Sequence, residues 1–337
     1  MLRLFISRIF HREDYRMSEK TKKKRKIRKP RRCYSGIGGQ AVLEGIMMKN
    51  KDQYAVAVRR SDGSIAVDVE SCEDFLAGNK IAGLPFIRGV INFVNSLRLG
   101  LKSLNFSADM YADEGEEPAK SDNVTTTLTG IIAVALAVGL FMILPVYITK
   151  WITSDIRNES LIAIIEGVIR LGIFLIYVVA ISAMKDIRRV YMYHGAEHKC
   201  INCIERGKPL TVKNVMRSSR MHKRCGTSFM LFVVVVSIIV FFFIRVDNMA
   251  LKIVLRLALV PVIAGISYEL LRLAGRYDNV ITLILSGPGL LLQRLTTREP
   301  DEEMAEVAIR AVEAVFDWRR FLSEEFGRET DDSQEPA

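Results

Sequence analysis

"LIAIIEGVIRLGIFLIYVVAISAMKDIRRVYMYHGAEHKC", residues 161–200, joins a long apolar run to a polar segment that holds two histidines and a glutamate. A helix needs about 20 apolar residues to cross a bilayer, so Leu161 to Met184 reads as a span. The motif "YHGAEHKC", Tyr193 to Cys200, then stands just beyond its end. Three readings of that motif are open: a metal-dependent active site, one half of a structural zinc site, or a membrane-proximal loop held by interfacial hydrogen bonds.

The composition supports a membrane setting. Half of the 337 residues are apolar and the mean hydropathy is positive. Four segments are long and apolar enough to span, namely Leu128 to Ile148, Leu161 to Met184, Thr227 to Ile244 and Ala250 to Leu271. A fifth run, Val280 to Leu292, is shorter and carries "SGPG", which suits a short or re-entrant segment. The fold expected is mainly α: a polytopic transmembrane helix bundle of four spans, occupying 128–292, with that fifth segment and a small cytoplasmic α+β cap.

The flanking segments have their own signatures. Residues 1–32 form a polybasic tail expected to be disordered, because the run Lys20 to Arg32 holds ten Lys or Arg and no acid. A small α+β unit is expected over 33–80, where "YAVAVRR" and "SIAVDVE" flank an Asp-Gly turn and read as a hairpin. Residues 84–110 read as an amphipathic interfacial helix, "ADEGEEPAKSDN" as a linker, and 301–326 as a C-terminal amphipathic helix. The N-terminal "MLRLFISRIF" lacks the long h-region and cleavage site of a secretory signal.

Loop charge sets the orientation, because Lys and Arg near span ends stay on the cytoplasmic side. The loop 185–226 has eleven Lys or Arg against three acids, whereas the links at 149–160 and 245–249 are short and nearly neutral. Both termini and the 185–226 loop are therefore expected in the cytoplasm, with the chain in the inner membrane. The basic tail suits anionic membrane lipids, at about 1 kcal/mol per basic residue, or another anionic surface such as a ribosome.

The 185–226 loop carries the chemistry. His194 and His198 are four apart, so on a helix their rings share a face and can share an ion. With Glu197 they make His-x-x-Glu-His, the inverzincin arrangement, in which imidazoles hold zinc and the glutamate takes a proton from water activated by the ion. A third ligand is needed; Glu269, at the inner end of the fourth span, is a candidate because a carboxylate there is costly unless paired or ligated. The alternative is an ion pair with Arg272 or Arg276.

The cysteines offer a rival. Cys200, Cys203, His222 and Cys225 form Cys-x2-Cys-x18-His-x2-Cys, a spacing that suits a structural zinc. A mixed site of His194, His198, His222 and Cys225 is a third arrangement. Five cysteines at uneven spacing do not make a secreted disulfide framework. "GIGGQ" lacks the Gly-Lys-Ser/Thr end of a phosphate loop, so its glycines serve a tight turn or a close approach. Within the second span Glu166 and Arg170 read as a mutually neutralising i, i+4 pair or an ion path, and Arg256 as a snorkelling cation.

The strings "GGQAVLEGIMMKN" (38–50), "YHGAEHKCINC" (193–203), "HKRCGTSFM" (222–230), "GISYELLRLAG" (265–275) and "LLLQRLTTREPDEEMAEVAIRAVEAV" (from 290) together resemble the bacterial YqhQ-like family, multi-pass membrane proteins of unknown function regarded on sequence grounds as metal-dependent enzymes. The resemblance covers about residues 35–318. It implies roles for His194, Glu197, His198, His222, Cys225 and Glu269, and for Gly38, Gly39, Gln40 and Glu44. It also implies that Cys203 belongs to the pattern and Cys200 does not, which favours a histidine-centred site completed by Cys225 or Glu269.

The expected function is a metal-dependent hydrolase at the cytosolic membrane surface. His194 and His198, with His222, Cys225 or Glu269, hold a divalent transition metal, zinc first, and Glu197 is the catalytic base. The alternative is a non-catalytic membrane assembly or ribosome- and lipid-binding protein with a structural zinc.

Overall fold

The computed structural model describes residues 32–72, 82–111, 123–246, 248–276 and 280–327. The basic tail up to residue 31, residues 73–80 of the expected 33–80 unit, and the expected linker apart from Asn123 lie outside these. The chain is mainly helical with a small antiparallel sheet.

The sheet is a four-stranded meander, β1 (Gly38–Val42), β2 (Gly45–Asn50), β3 (Gln53–Arg59) and β4 (Ile65–Ser71), paired in sequence order. The expected hairpin is β3–β4, in register from Gln53↔Ser71 to Arg59↔Ile65. The string at 38–50 proves to be a second hairpin. Its two-residue turn puts Glu44 at φ +48, a left-handed conformation uncommon outside glycine. Successive side chains point to opposite faces, and both are covered. Ile46, Met48, Ala55 and Ala57 join the main core, while Met47, Tyr54, Val56 and Val58 pack with Leu99 and Phe106.

Those last two belong to α1 (Ile87–Tyr111), the expected amphipathic helix. Its first turns lie against α9 (Val260–Arg276), where Gly89 meets Gly265 and Tyr268 so closely that an added Cβ would sit 2.9 Å from the tyrosine Cβ. The helix thus bridges the apolar helices and the sheet.

Two apolar helical stretches are long enough to cross a membrane, Leu128–Ile152 and Glu159–Ala183, each of 25 residues. The first comprises α2 (Asn123–Val138), a π turn (Gly139–Ile143) and α3 (Leu144–Ile152); the second is α4 (Glu159–Ala183). Their outer surfaces are apolar and open, with Leu136 68% and Ile176 71% exposed. The expected third span is α7 (Gly226–Phe242), of only 17 residues. The fourth is broken into α8 (Met249–Ala258) and α9 with a 42° bend. Pro261 follows the break, and its missing N–H and bulky ring disfavour a straight helix there. Among the described residues two helices are therefore long and apolar enough to cross a membrane, or three if the bent pair counts as one. The fifth run is not interrupted by "SGPG": α10 (Val280–Thr296) carries Pro288 within it, and Gly289 lets Ser228 of α7 approach.

The 185–226 segment is not a loop. It holds α5 (Lys185–Glu205) and the short α6 (Val212–Met216). Met184, in an extended conformation, separates α5 from α4. The expected single C-terminal helix is two, α11 (Glu302–Val315) and α12 (Trp318–Phe326). Asp301 caps α11 by accepting from the Met304 N–H at 2.8 Å. Met304, Val307, Ala308, Ala311, Val312 and Val315 make one buried stripe against the sheet and α5.

Leu322 of α12 is fully buried in that core. Leu322→Ala is expected to lower stability by about 2–5 kcal/mol through lost contacts and an unfilled cavity; unfolding followed by the fluorescence of Trp318, on the same helix, checks this.

Candidate metal centre

The site begins with α5. Its C-terminus is a Schellman turn: Gly207, at φ +70, donates to Ile204 O and Lys208 to Cys203 O. Midway along, the chain after α10 crosses the helix, with Arg298 N–H donating to Tyr191 O at 2.8 Å. The crossing requires Gly195, since a Cβ there would lie 2.0 Å from the Arg298 carbonyl oxygen. Glycine inside "HGAEH" is thus a packing requirement that admits the chain through Thr296 and Arg298, one of two segments whose backbone acceptors meet the histidines.

Those acceptors fix the rings. His194 Nδ1 lies 2.9 Å from Thr296 O, and His198 Nδ1 lies 2.7 Å from Arg220 O. A carbonyl only accepts, so each Nδ1 donates, which leaves each Nε2 as the ring nitrogen that can ligate an ion. The rings stand 4.4 Å apart between centroids, and His194 Nε2 is 3.2 Å from Cys225 Sγ. Donor atoms of His194, His198 and Cys225 all fall within 4.8 Å of one another. Cys225 is presented by its place as N-cap of α7, where its sulfur accepts from Thr227 N–H.

This donor set fits a zinc-class ion. Two imidazoles and one sulfur suit a borderline-soft cation, and bond lengths of about 2.0–2.3 Å are compatible with donors this close. Hydrogen bonding of the second ring nitrogen to a carbonyl is the usual way a protein orients such ligands. The donors face a cavity of about 110 Å³ lined also by Gly38, Gly39, Glu197, His222 and Arg224.

Glu197 is buried beside them. Burial pushes its carboxyl up, opposed by His194 and by the Gly39 backbone N–H. Gly39 approaches so closely that a Cβ would lie 3.2 Å from Glu197 Cγ and 2.5 Å from Met47 O, which gives this one glycine of "GIGGQ" the expected close approach, while Gly38 has open space around it. His222 has its ring 5.5 Å from that of His198, but its Nε2 turns to Arg224 and Glu205, at 3.3 and 3.6 Å. Burial lowers the His222 pKa to about 4, with Glu205 opposing and Arg224 assisting. Its backbone is held by Gln293, whose side chain accepts from His222 N–H at 2.9 Å and donates to His222 O at 2.8 Å.

Behind the cavity lies Glu205, with no exposed side-chain surface. It receives Arg32, Arg224, and the Ser35 backbone and hydroxyl. Burial pushes its carboxyl up, but His222, Arg224 and Arg32 outweigh this and hold it at about 2. Arg32, the last cation of the basic run, is therefore fastened next to the centre.

Other expected residues are placed elsewhere. Glu269 is not in the group: both its oxygens accept from Arg88 of α1, at 2.6 and 2.5 Å. Of the expected alternative, an ion pair with Arg272 or Arg276, the ion pair is present but its hydrogen-bonded partner is Arg88, from a distant helix, and Arg272 adds only its charge. Cys200 and Cys203 sit in the apolar core, where burial raises both thiols, Cys203 to about 11. Glu44 receives Arg189 and Tyr193, bracing the β1–β2 turn against α5. Gln293, Glu205, Arg224 and the carbonyls of Arg220 and Thr296 carry no motif, and only the polar character of 205 and 293 within apolar stretches signalled them.

Glu205 has a folded pKa below its ordinary value, so the stability it contributes is present above about pH 4.5 and lost as pH falls toward about 2. Wild-type unfolding should weaken across that window. Glu205→Gln should cost about 3–5 kcal/mol at neutral pH and flatten the acid limb, measured by denaturation at a series of pH values.

No solved structure matches the chain. Residues 84–318 match the family model described as "Protein of unknown function (DUF1385)". The chain is also similar to "Uncharacterized protein YqhQ" of Bacillus subtilis (strain 168), 39% identical over 288 residues, covering 81% of this chain and 90% of that protein. With its matched region running from the start of the bridging helix to the second C-terminal helix, this chain belongs to the DUF1385, YqhQ-like family.

Proposed function

We propose that this chain is a metal-dependent hydrolase of the cytoplasmic membrane, with its centre on the cytosolic side. The observation that carries the reading is the convergence of two oriented imidazoles and Cys225 beside a cavity that also holds Glu197. Structural zinc sites use four protein donors, whereas catalytic ones use three and leave a side open. Here three donors group, and His222, the nearest fourth, is engaged by Arg224 and Glu205.

A bound ion of the zinc class supplies Lewis acidity, polarising a carbonyl or phosphoryl oxygen and making water nucleophilic near neutral pH. His194, His198 and Cys225 would hold it. Glu197 receives the proton that water gives up, at a carboxylate steadied by the Gly39 N–H. His222 and Arg224 line the same cavity. The short apolar helix α7 and the bent pair α8–α9 complete a four-span bundle with both termini in the cytosol, and the basic tail lies on anionic headgroups.

Full-length protein purified without chelator is expected to carry zinc. His194→Ala, His198→Ala and Cys225→Ser should lose it, while Glu197→Gln keeps it and abolishes turnover. X-ray absorption should read two nitrogens, one sulfur and one light atom from solvent. A fourth protein donor would make the zinc structural and favour an assembly role; metal lost in Glu197→Gln would make Glu197 a ligand.

A further inference from the structure

We infer that Glu166, Arg170 and Arg256 form a buried binding site for a small monovalent anion of halide size, separate from the metal centre. Glu166 and Arg170 lie on α4 and Arg256 on α8, and all three are buried, at 7%, 3% and 3% exposure. Arg170 Nη2 donates to Glu166 Oε1 at 2.6 Å, and Arg256 Nη2 donates to Oε2 at 2.9 Å. Arg256 Nη1 also lies 2.7 Å from Oε1. One carboxylate thus serves two guanidinium groups, and two positive charges against one negative leave an excess of one positive charge.

The excess cannot be removed by proton loss, because arginine stays charged in proteins. Among the described residues no second carboxylate is ion-paired with either guanidinium. Nor are the donors used up: the Nε atoms of Arg170 and Arg256 are buried without a hydrogen-bond partner. A buried unpaired charge and orphaned N–H groups both cost stability, and an anion accepting from those N–H groups relieves both. Both guanidinium groups lie against one face partner, the Phe241 ring, at 4.7 and 4.9 Å, so the group is walled by an aromatic side chain. Enclosure of that degree suits an ion without a tail.

The surrounding helices are those with interrupted ladders. Arg256 stands three residues before Leu259, where α8 and α9 bend by 42°. The π turn Gly139–Ile143 packs against both α4 and α8. Such irregularities release backbone groups and let helices shift, which gives a small ion a way in.

The test uses the full chain in detergent, comparing unfolding temperature in bromide, chloride, phosphate and gluconate at constant sodium and ionic strength. The expected result is a saturable rise with bromide and chloride over gluconate, absent in Arg256→Gln. Equal temperatures in halide and gluconate overturn the proposal, as does an undiminished rise in Arg256→Gln; a rise with phosphate alone overturns the size assignment. Should Arg256→Gln fail to fold, Arg170→Gln takes its place. Equilibrium dialysis of the wild type against bromide, read by X-ray fluorescence, should give one bound bromide per chain, and no excess over the dialysate overturns the site. His194→Ala should keep the halide effect, which separates this outcome from that of the metal centre.

Discussion

Two backbone carbonyls, those of Thr296 and Arg220, govern the centre because they decide which nitrogen of each histidine carries the proton. A helix alone puts His194 and His198 on one face, but it leaves tautomer and ring angle free. The carbonyls remove that freedom, and they arrive from segments 102 and 22 residues away. The approach of the chain that carries the Thr296 carbonyl depends on the absence of a Cβ at Gly195, which would meet the Arg298 carbonyl oxygen at 2.0 Å.

Around this point the structure is stiffened by polar groups that would be costly if left alone. Gln293 returns both backbone groups of His222, Glu205 gathers two arginines and a serine, and Glu44 fastens the β1–β2 turn to Arg189 and Tyr193. Each is buried and each is satisfied, the condition under which buried polar networks rigidify a site instead of weakening it. The Glu166 group differs, having more guanidinium donors than carboxylate to receive them.

The apolar helices and the polar cap are joined through α1 and the Met184 break. Arg88 holding Glu269 bidentately and Gly89 against Gly265 lock α1 to α9, while Leu99 and Phe106 fix its far half beneath the sheet. At Met184 the backbone turns extended between α4 and α5, so the histidine-bearing helix is free of the direction of the apolar one.

By itself the sequence determined the long apolar helices, the β3–β4 hairpin, the amphipathic faces of α1 and α11 and the pairing of His194 with His198, because each is a local pattern of period or spacing. It also held Cys225 among the candidates for the centre. Only the tertiary structure decided that Cys225 joins the imidazoles while Cys200 and Cys203 enter the core, that Glu269 belongs to Arg88, and that Arg256 turns inward to Glu166 instead of reaching outward. It likewise decided the bend at Leu259 and the second hairpin at 38–50. The pairings depend on which distant group reaches a side chain, and no periodicity along the chain encodes contacts such as His194–Cys225, Glu166–Arg256 and Arg88–Glu269, which lie 31, 90 and 181 positions apart.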